Sequence, residues 1–209
     1  MVEPTDLVLF VTASWVLIVS PGPDNIYVLT RSVTQGRLVG LLSAVGVSLG
    51  ILVHTLAAAL GLAALLQTSA LAFLVVKYAG AVYLIYLGIK ALRDGESFAL
   101  QGEAEPVRRY EVLKQGVLSN VLNPKVALFF LAFLPQFIVP GRGPIPLQML
   151  FLGSVFALFA LTFTCSVALL GSRIGHGLKR KSGVRQTLRY LTGGVFIGLG
   201  LRLAFVERK

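Results

Sequence analysis

Two short runs set prolines beside a charge inside otherwise apolar stretches: Pro21-Gly22-Pro23-Asp24-Asn25, and Asn120-Val121-Leu122-Asn123-Pro124-Lys125. Pro21 and Pro23 remove backbone donors and clash with preceding carbonyls, Gly22 adds freedom, and the residue before each proline avoids the α region. A helix arriving at Pro21 has to break. Backbone groups freed inside a membrane must be satisfied by protein, water or ligand, so broken spans occur where they line a cavity. Asp24 and Asn25 would then open a new half-helix, whose start favours capping side chains and negative charge. Lys125 precedes the apolar run Val126 to Leu134, and a lysine at such depth is costly unless it is paired or wet. Asp24 is its candidate partner. Together the two charges could bind the ammonium and carboxylate of a zwitterion, or each other when the site is empty.

Each run also has a plainer reading. Only Ile26 to Thr30 separate the first from Arg31, so it could be the cytoplasmic cap of a helix. Against this, the apolar length before Pro21 is about 14 residues, short of the roughly 20 needed to span alone. Lys125 could snorkel to the surface. Pro135-Gln136 is a further break candidate, and one repeat alignment pairs it with Pro21 to Pro23. His54 lies in an apolar run, where it could carry a proton or bond to a neighbouring helix. Asp24 is the only acidic residue in an apolar segment, so Asp24 and His54 are the proton-coupling candidates. Thr55, Thr162, Thr164 and Ser166 read as interhelical ties, Tyr78, Tyr83 and Tyr86 as packing, and Gly40, Gly46 and Gly50 as points of close helix approach. The lone Cys165 can form no internal disulfide and reads as a small packing residue.

Catalytic and cofactor signatures are missing. There is no His-Glu-x-x-His, phosphate loop or carboxylate pair. Hydrolysis, a metal or other cofactor, and intrinsic ATP drive are not expected, which leaves an ion gradient as the energy source.

The elements that must position these residues are membrane helices. Of 209 residues, 56% are hydrophobic and 13% charged, against roughly 45 to 50% and 25% in soluble domains. Six apolar segments emerge near residues 7–29, 38–66, 71–92, 116–139, 147–171 and 190–206, each long enough for about 30 Å of hydrocarbon. The first, with Glu3 and Asp6 ahead of it and no A-x-A site, reads as a span and not a signal peptide. The net charge of +10 sits mostly in loops, where it sets orientation and meets anionic lipid, so no nucleic-acid partner is expected.

With the N-terminus outside, the inner loops hold Arg31, Arg37, Lys90, Arg93, Arg108, Arg109, Lys114, Arg173, Lys179, Arg180, Lys181, Arg185 and Arg189. The outer side holds only Lys77, Arg142, Arg202, Arg208 and Lys209. The positive-inside bias therefore places both termini outside. The polar stretch Arg93 to Lys114 splits one transmembrane domain, residues 1–209, into halves of about 1–95 and 110–209. Three spans per half means any repeat is inverted. Gly80-Ala81-Val82-Tyr83-Leu84 with Leu87-Gly88-Ile89-Lys90 matches Gly193-Gly194-Val195-Phe196-Ile197 with Leu199-Gly200-Leu201-Arg202, after a one-residue slip. Pro23-Asp24 and Pro124-Lys125 lie about one half-length apart. The expected fold is all-α: six transmembrane helices as two inverted three-helix repeats, with the first and fourth broken.

Three motifs in order carry a resemblance to the LysE/RhtB family of amino-acid exporters. They are Ser20-Pro-Gly-Pro-Asp-Asn25, Lys77-Tyr-Ala-Gly80 with Tyr83-Leu84 and Leu87-Gly88, and Asn123-Pro-Lys125 followed by Phe129-Phe130 and Phe133-Leu-Pro-Gln-Phe137. The similarity covers essentially the whole chain. It implies proton-driven efflux of amino acids or related small metabolites across the bacterial inner membrane, for which the loop charges make both termini periplasmic. The substrate region is expected at Pro21, Gly22, Pro23, Asp24, Asn25, Asn120, Asn123, Pro124 and Lys125. Membrane lipids and a second copy of the chain, through glycine-lined faces, complete the expected partners. Two other classes stay open, a lipid-modifying membrane enzyme and a non-transporting scaffold.

Overall fold

The computed structural model describes residues 4–62, 70–94 and 108–178 and single helical positions between 190 and 205. The described secondary structure is helical throughout. α1 is Pro4–Val19 and α2 Pro23–Gln35; α3 is Arg37–Ala57, continued by a π turn over Ala58–Leu62. α4 is Ala70–Asp94 and α5 Arg109–Val121. α6 starts as Pro124–Leu128 and runs through a π turn (Phe129–Phe133) and a 3-10 turn (Leu134–Phe137); α7 is Ile145–Leu178. Most of the sixth apolar segment, and with it most of the stretch matched to the third, lies outside the described residues, as do 95–107 of the polar connection and 179–189. Gly200 does meet α4, where a Cβ would lie 2.8 Å from the Ala81 carbonyl.

Two helices, over Arg37–Gly61 and Ile145–Gly171, are long and apolar enough to cross a membrane alone. Two bent pairs reach that length together. α1 and α2 meet at 52°, and Arg109–Val121 meets Pro124–Phe137 at 49°. The first and fourth segments are thus broken at their Pro motifs, at nearly equal angles. The described chain accordingly holds between two and four spans, depending on whether each bent pair is counted as one.

The side chains are sorted for lipid. On α3 the outward positions are Val45, Leu49, Leu52, Val53 and Leu56, whereas Ser43, Ala44, Gly46, Gly50 and Thr55 are buried. The outward positions are large and apolar, whereas the small and polar ones face in, with Val47 and Ile51 beside them, because helix association in lipid relies on close packing and polar contacts. A Cβ on Gly46 would come 2.6 Å from the Leu113 carbonyl of α5, and one on Gly50 would come 2.7 Å from Asn120 Cβ. Gly40 meets Ser32 of α2 in the same way, at 2.7 Å. All three glycines are used inside one chain, so a homodimer gains no support from them.

Other expectations move in detail. α2 runs on to Gln35 and the chain reverses at Gly36, whose φ of +89° suits glycine. The polar loop expected there is one residue long. Thr55, Thr162, Thr164 and Ser166 bond to carbonyls four residues back on their own helices, so they are not interhelical ties through these hydroxyls. Such ties come instead from Ser32 Oγ to the Ala168 carbonyl and Tyr27 Oη to the Val112 carbonyl. Cys165 packs against the core as a half-buried residue. Pro135 sits in the 3-10 turn that ends α6, which makes it an exit break.

Candidate functional site

The first break follows from proline arithmetic. The last regular bond of α1 is Ser20 N–H to the Val16 carbonyl, 3.1 Å. The carbonyls of Leu17 and Val19 would next receive N–H groups from residues 21 and 23, and both are proline. Gly22 leaves the helix in extended conformation, and α2 restarts with Ile26 N–H to the Gly22 carbonyl at 3.0 Å. Side chains fill the gap. Asn25 Nδ2 donates to the carbonyls of Ile18 (2.9 Å) and Ser20 (3.0 Å). Lys125 Nζ reaches across from the second break to those of Leu17 (3.0 Å) and Ser20 (2.8 Å).

The second break repeats the logic. Pro124 has no N–H for the Asn120 carbonyl, which takes Asn123 N–H at 2.9 Å and His54 Nε2 at 3.2 Å. A carbonyl only accepts, so this bond assigns the proton to Nε2. Asn123 caps the new half-helix, its Oδ1 accepting Lys125 N–H at 3.0 Å. Its Nδ2 donates to Asp24 Oδ2 at 2.8 Å. Asn120 Nδ2 adds a bond to the same oxygen at 2.7 Å, and Ser119 Oγ donates to Oδ1 at 3.2 Å.

Each break is therefore bonded to the other. Asp24, at the start of α2, collects three donors from α5 and its terminus, while Lys125, at the start of α6, covers carbonyls at the end of α1. Both charged residues are buried, 7% and 8% exposed, and the Lys125 ammonium is turned inward and not toward the surface. Bonds to a charged group are worth ~1.5 to 3 kcal/mol each, so this reciprocal clasp ties the two bent pairs together. Gly22 makes room for it, since a Cβ there would lie 2.9 Å from Lys125 Nζ.

Asp24, Asn25 and Lys125 border one cavity, lined otherwise by Leu17, Ile18, Val47, Ile51, Val126, Phe156, Ala160 and Thr164. It leaves only about 20 Å³ to the centre of a water molecule, room for about one water. His54 stands outside this lining, stacked on Phe130 at 5.8 Å. It holds the carbonyl of Asn120 while Asp24 holds the amide, so the two proton candidates touch opposite ends of one residue. Pro21 and Pro23 act by the donors they lack, not by contact. Sequence reasoning missed Ser119, and it missed the cavity walls on α3 and α7. It also passed over the Leu17 carbonyl, which a proline four residues on would have flagged.

Among the described residues, no group of three His, Cys, Asp or Glu side chains could hold a metal. Apolar, broken helices around a small, largely apolar cavity bordered by Asp24, Asn25 and Lys125 form the kind of arrangement that membrane transporters use. The LysE type translocator family model matches residues 15–206, and the chain belongs to that family. An uncharacterized membrane protein of Pseudomonas aeruginosa is 33% identical over 207 residues, covering 96% of this chain and 95% of that protein. The leucine efflux protein of Klebsiella pneumoniae is 32% identical over 197 residues, 91% of each chain. The homoserine/homoserine lactone efflux protein of Salmonella typhimurium is 32% identical over 195 residues, 93% of this chain and 94% of that one. No solved structure matches the chain. The protein is a transporter in the membrane and not an enzyme.

Proposed function

We propose that this protein exports amino acids or related small metabolites across the bacterial inner membrane, driven by the proton gradient, as six spans in two inverted repeats with periplasmic termini. The observation that carries the reading is the reciprocal clasp between two similarly bent helix pairs, in which Lys125 of the second covers carbonyls at the first break and Asp24 of the first accepts from side chains at the second. A site at the meeting of two broken helices is the arrangement by which transporters bind substrate near the midplane. Efflux of leucine and of homoserine or its lactone by relatives supports amino acids as cargo. The substrate region comprises Pro21 to Asn25 with Asn120, Asn123, Pro124 and Lys125; Lys125 takes the carboxylate, and Asp24 and His54 are the proton candidates. Counterflow of labelled amino acids in proteoliposomes tests this. Asp24→Asn and Lys125→Ala should each slow exchange at least tenfold, and full rates in both would remove the site assignment.

A further inference from the structure

The Lys125 ammonium sits on two backbone carbonyls, Leu17 at 3.0 Å and Ser20 at 2.8 Å, beside the cavity. For Leu17 the opening is inherent, because Pro21 cannot supply the N–H that a continuing helix would bring. Carbonyls at the end of a broken helix carry the negative end of its dipole and suit a cation. Asp24, by contrast, already accepts from Ser119, Asn120 and Asn123, which leaves about one of a carboxylate's roughly four acceptor positions for an ammonium. Resting on the transport reading above, we propose that the substrate's ammonium binds the Leu17 and Ser20 carbonyls, which Lys125 occupies as a stand-in when the site is empty.

Loading is then an exchange without net loss of pairing. The substrate carboxylate draws Lys125 off the carbonyls, and the α-ammonium takes the position vacated. No bond is made or broken beyond hydrogen bonds, and the site's charge is unchanged by a zwitterion. The exchange also answers the cavity's small size, because the lysine's own chain occupies the space that an amino acid would take. The required ligand carries both charged groups on one carbon, with a side chain facing the apolar wall of Val47, Ile51, Phe156 and Ala160.

The test uses the purified full chain and three probes: leucine, isopentylammonium (no carboxylate) and 4-methylpentanoate (no ammonium). In wild type, 4-methylpentanoate should compete with leucine because it can pull Lys125 away. Isopentylammonium should not, because Lys125 holds its site. Lys125→Met should reverse this, with isopentylammonium binding at least tenfold more tightly than to wild type and leucine at least tenfold more weakly. Should isopentylammonium compete in wild type as well as 4-methylpentanoate does, the ammonium site lies elsewhere and the proposal falls, whether or not the variant folds. A folded variant that gains no ammonium affinity also overturns it while leaving the transport reading intact. If no amino acid binds or moves in wild type, the transport reading itself is lost.

Discussion

Gly22→Ala isolates the contact between the two breaks. Gly22 has φ −169° and ψ 176°, extended backbone open to any residue, so alanine brings no backbone strain. Its methyl would instead lie 2.9 Å from Lys125 Nζ and 3.4 Å from Cε, closer than packing allows, and the lysine tip must give way. Two charge-assisted bonds to carbonyls are then stretched or lost. At ~1.5 to 3 kcal/mol for each, and with partial recovery as the ammonium finds other partners, the net cost should be ~1 to 3 kcal/mol. Denaturation of the purified protein reads this directly. Gly61→Ala is the control, since nothing lies within 4 Å of a Cβ there; it should stay within ~0.5 kcal/mol of wild type. Because the predicted damage runs through Lys125, Gly22→Ala should cost much less in a Lys125→Met background, a coupling of ~1 kcal/mol or more. Equal costs in both backgrounds, or no difference from Gly61→Ala, would refute the reasoning.

Asn120→Ala should destabilise by ~2 to 4 kcal/mol, since it removes a donor from buried Asp24, whereas Ser119→Ala, losing a 3.2 Å bond, should cost ~0.5 to 1.5 kcal/mol; paired unfolding curves check the order. Gly46→Ala should cost ~2 kcal/mol or more, read as lost monodisperse yield and a lower midpoint, because its methyl meets the Leu113 backbone at 2.6 Å and backbone cannot swing aside as a side-chain tip can. Thr162→Ala and Ser166→Ala, exposed and bonded only within α7 by the observed contacts, should change stability by less than ~0.5 kcal/mol and leave counterflow at the wild-type rate.

The sequence showed the break positions because proline acts locally: residues 21, 23 and 124 lack an N–H whatever the tertiary structure does. It did not show which groups would answer the freed carbonyls. Lys125 reaching Leu17 and His54 reaching Asn120 join positions 108 and 66 residues apart, and such pairing depends on how helices dock. Asp24 and Lys125 were expected to face one another, and they do border one cavity, but the observed bonds send each to the opposite break. The threonines were misread for a different reason. A hydroxyl in an apolar helix can always reach the carbonyl four residues back, so its presence need not signal a neighbouring helix. Gly36 was overlooked because glycine is common here, with 22 in the chain, and its positive φ, shared with Gly141 and Gly143, is not visible in the sequence.

The central claim is that substrate enters the cavity between the two broken helices, and site-directed protection measures it. In a Cys165→Ser background, Ala160→Cys places a thiol on the cavity wall, whereas Leu158→Cys, at a position 62% exposed on the outer face of α7, serves as control. A saturating transported amino acid should slow alkylation of the Ala160→Cys thiol at least tenfold and leave the Leu158→Cys thiol unchanged. Equal alkylation of the cavity thiol with and without an amino acid that the same variant transports would contradict the account.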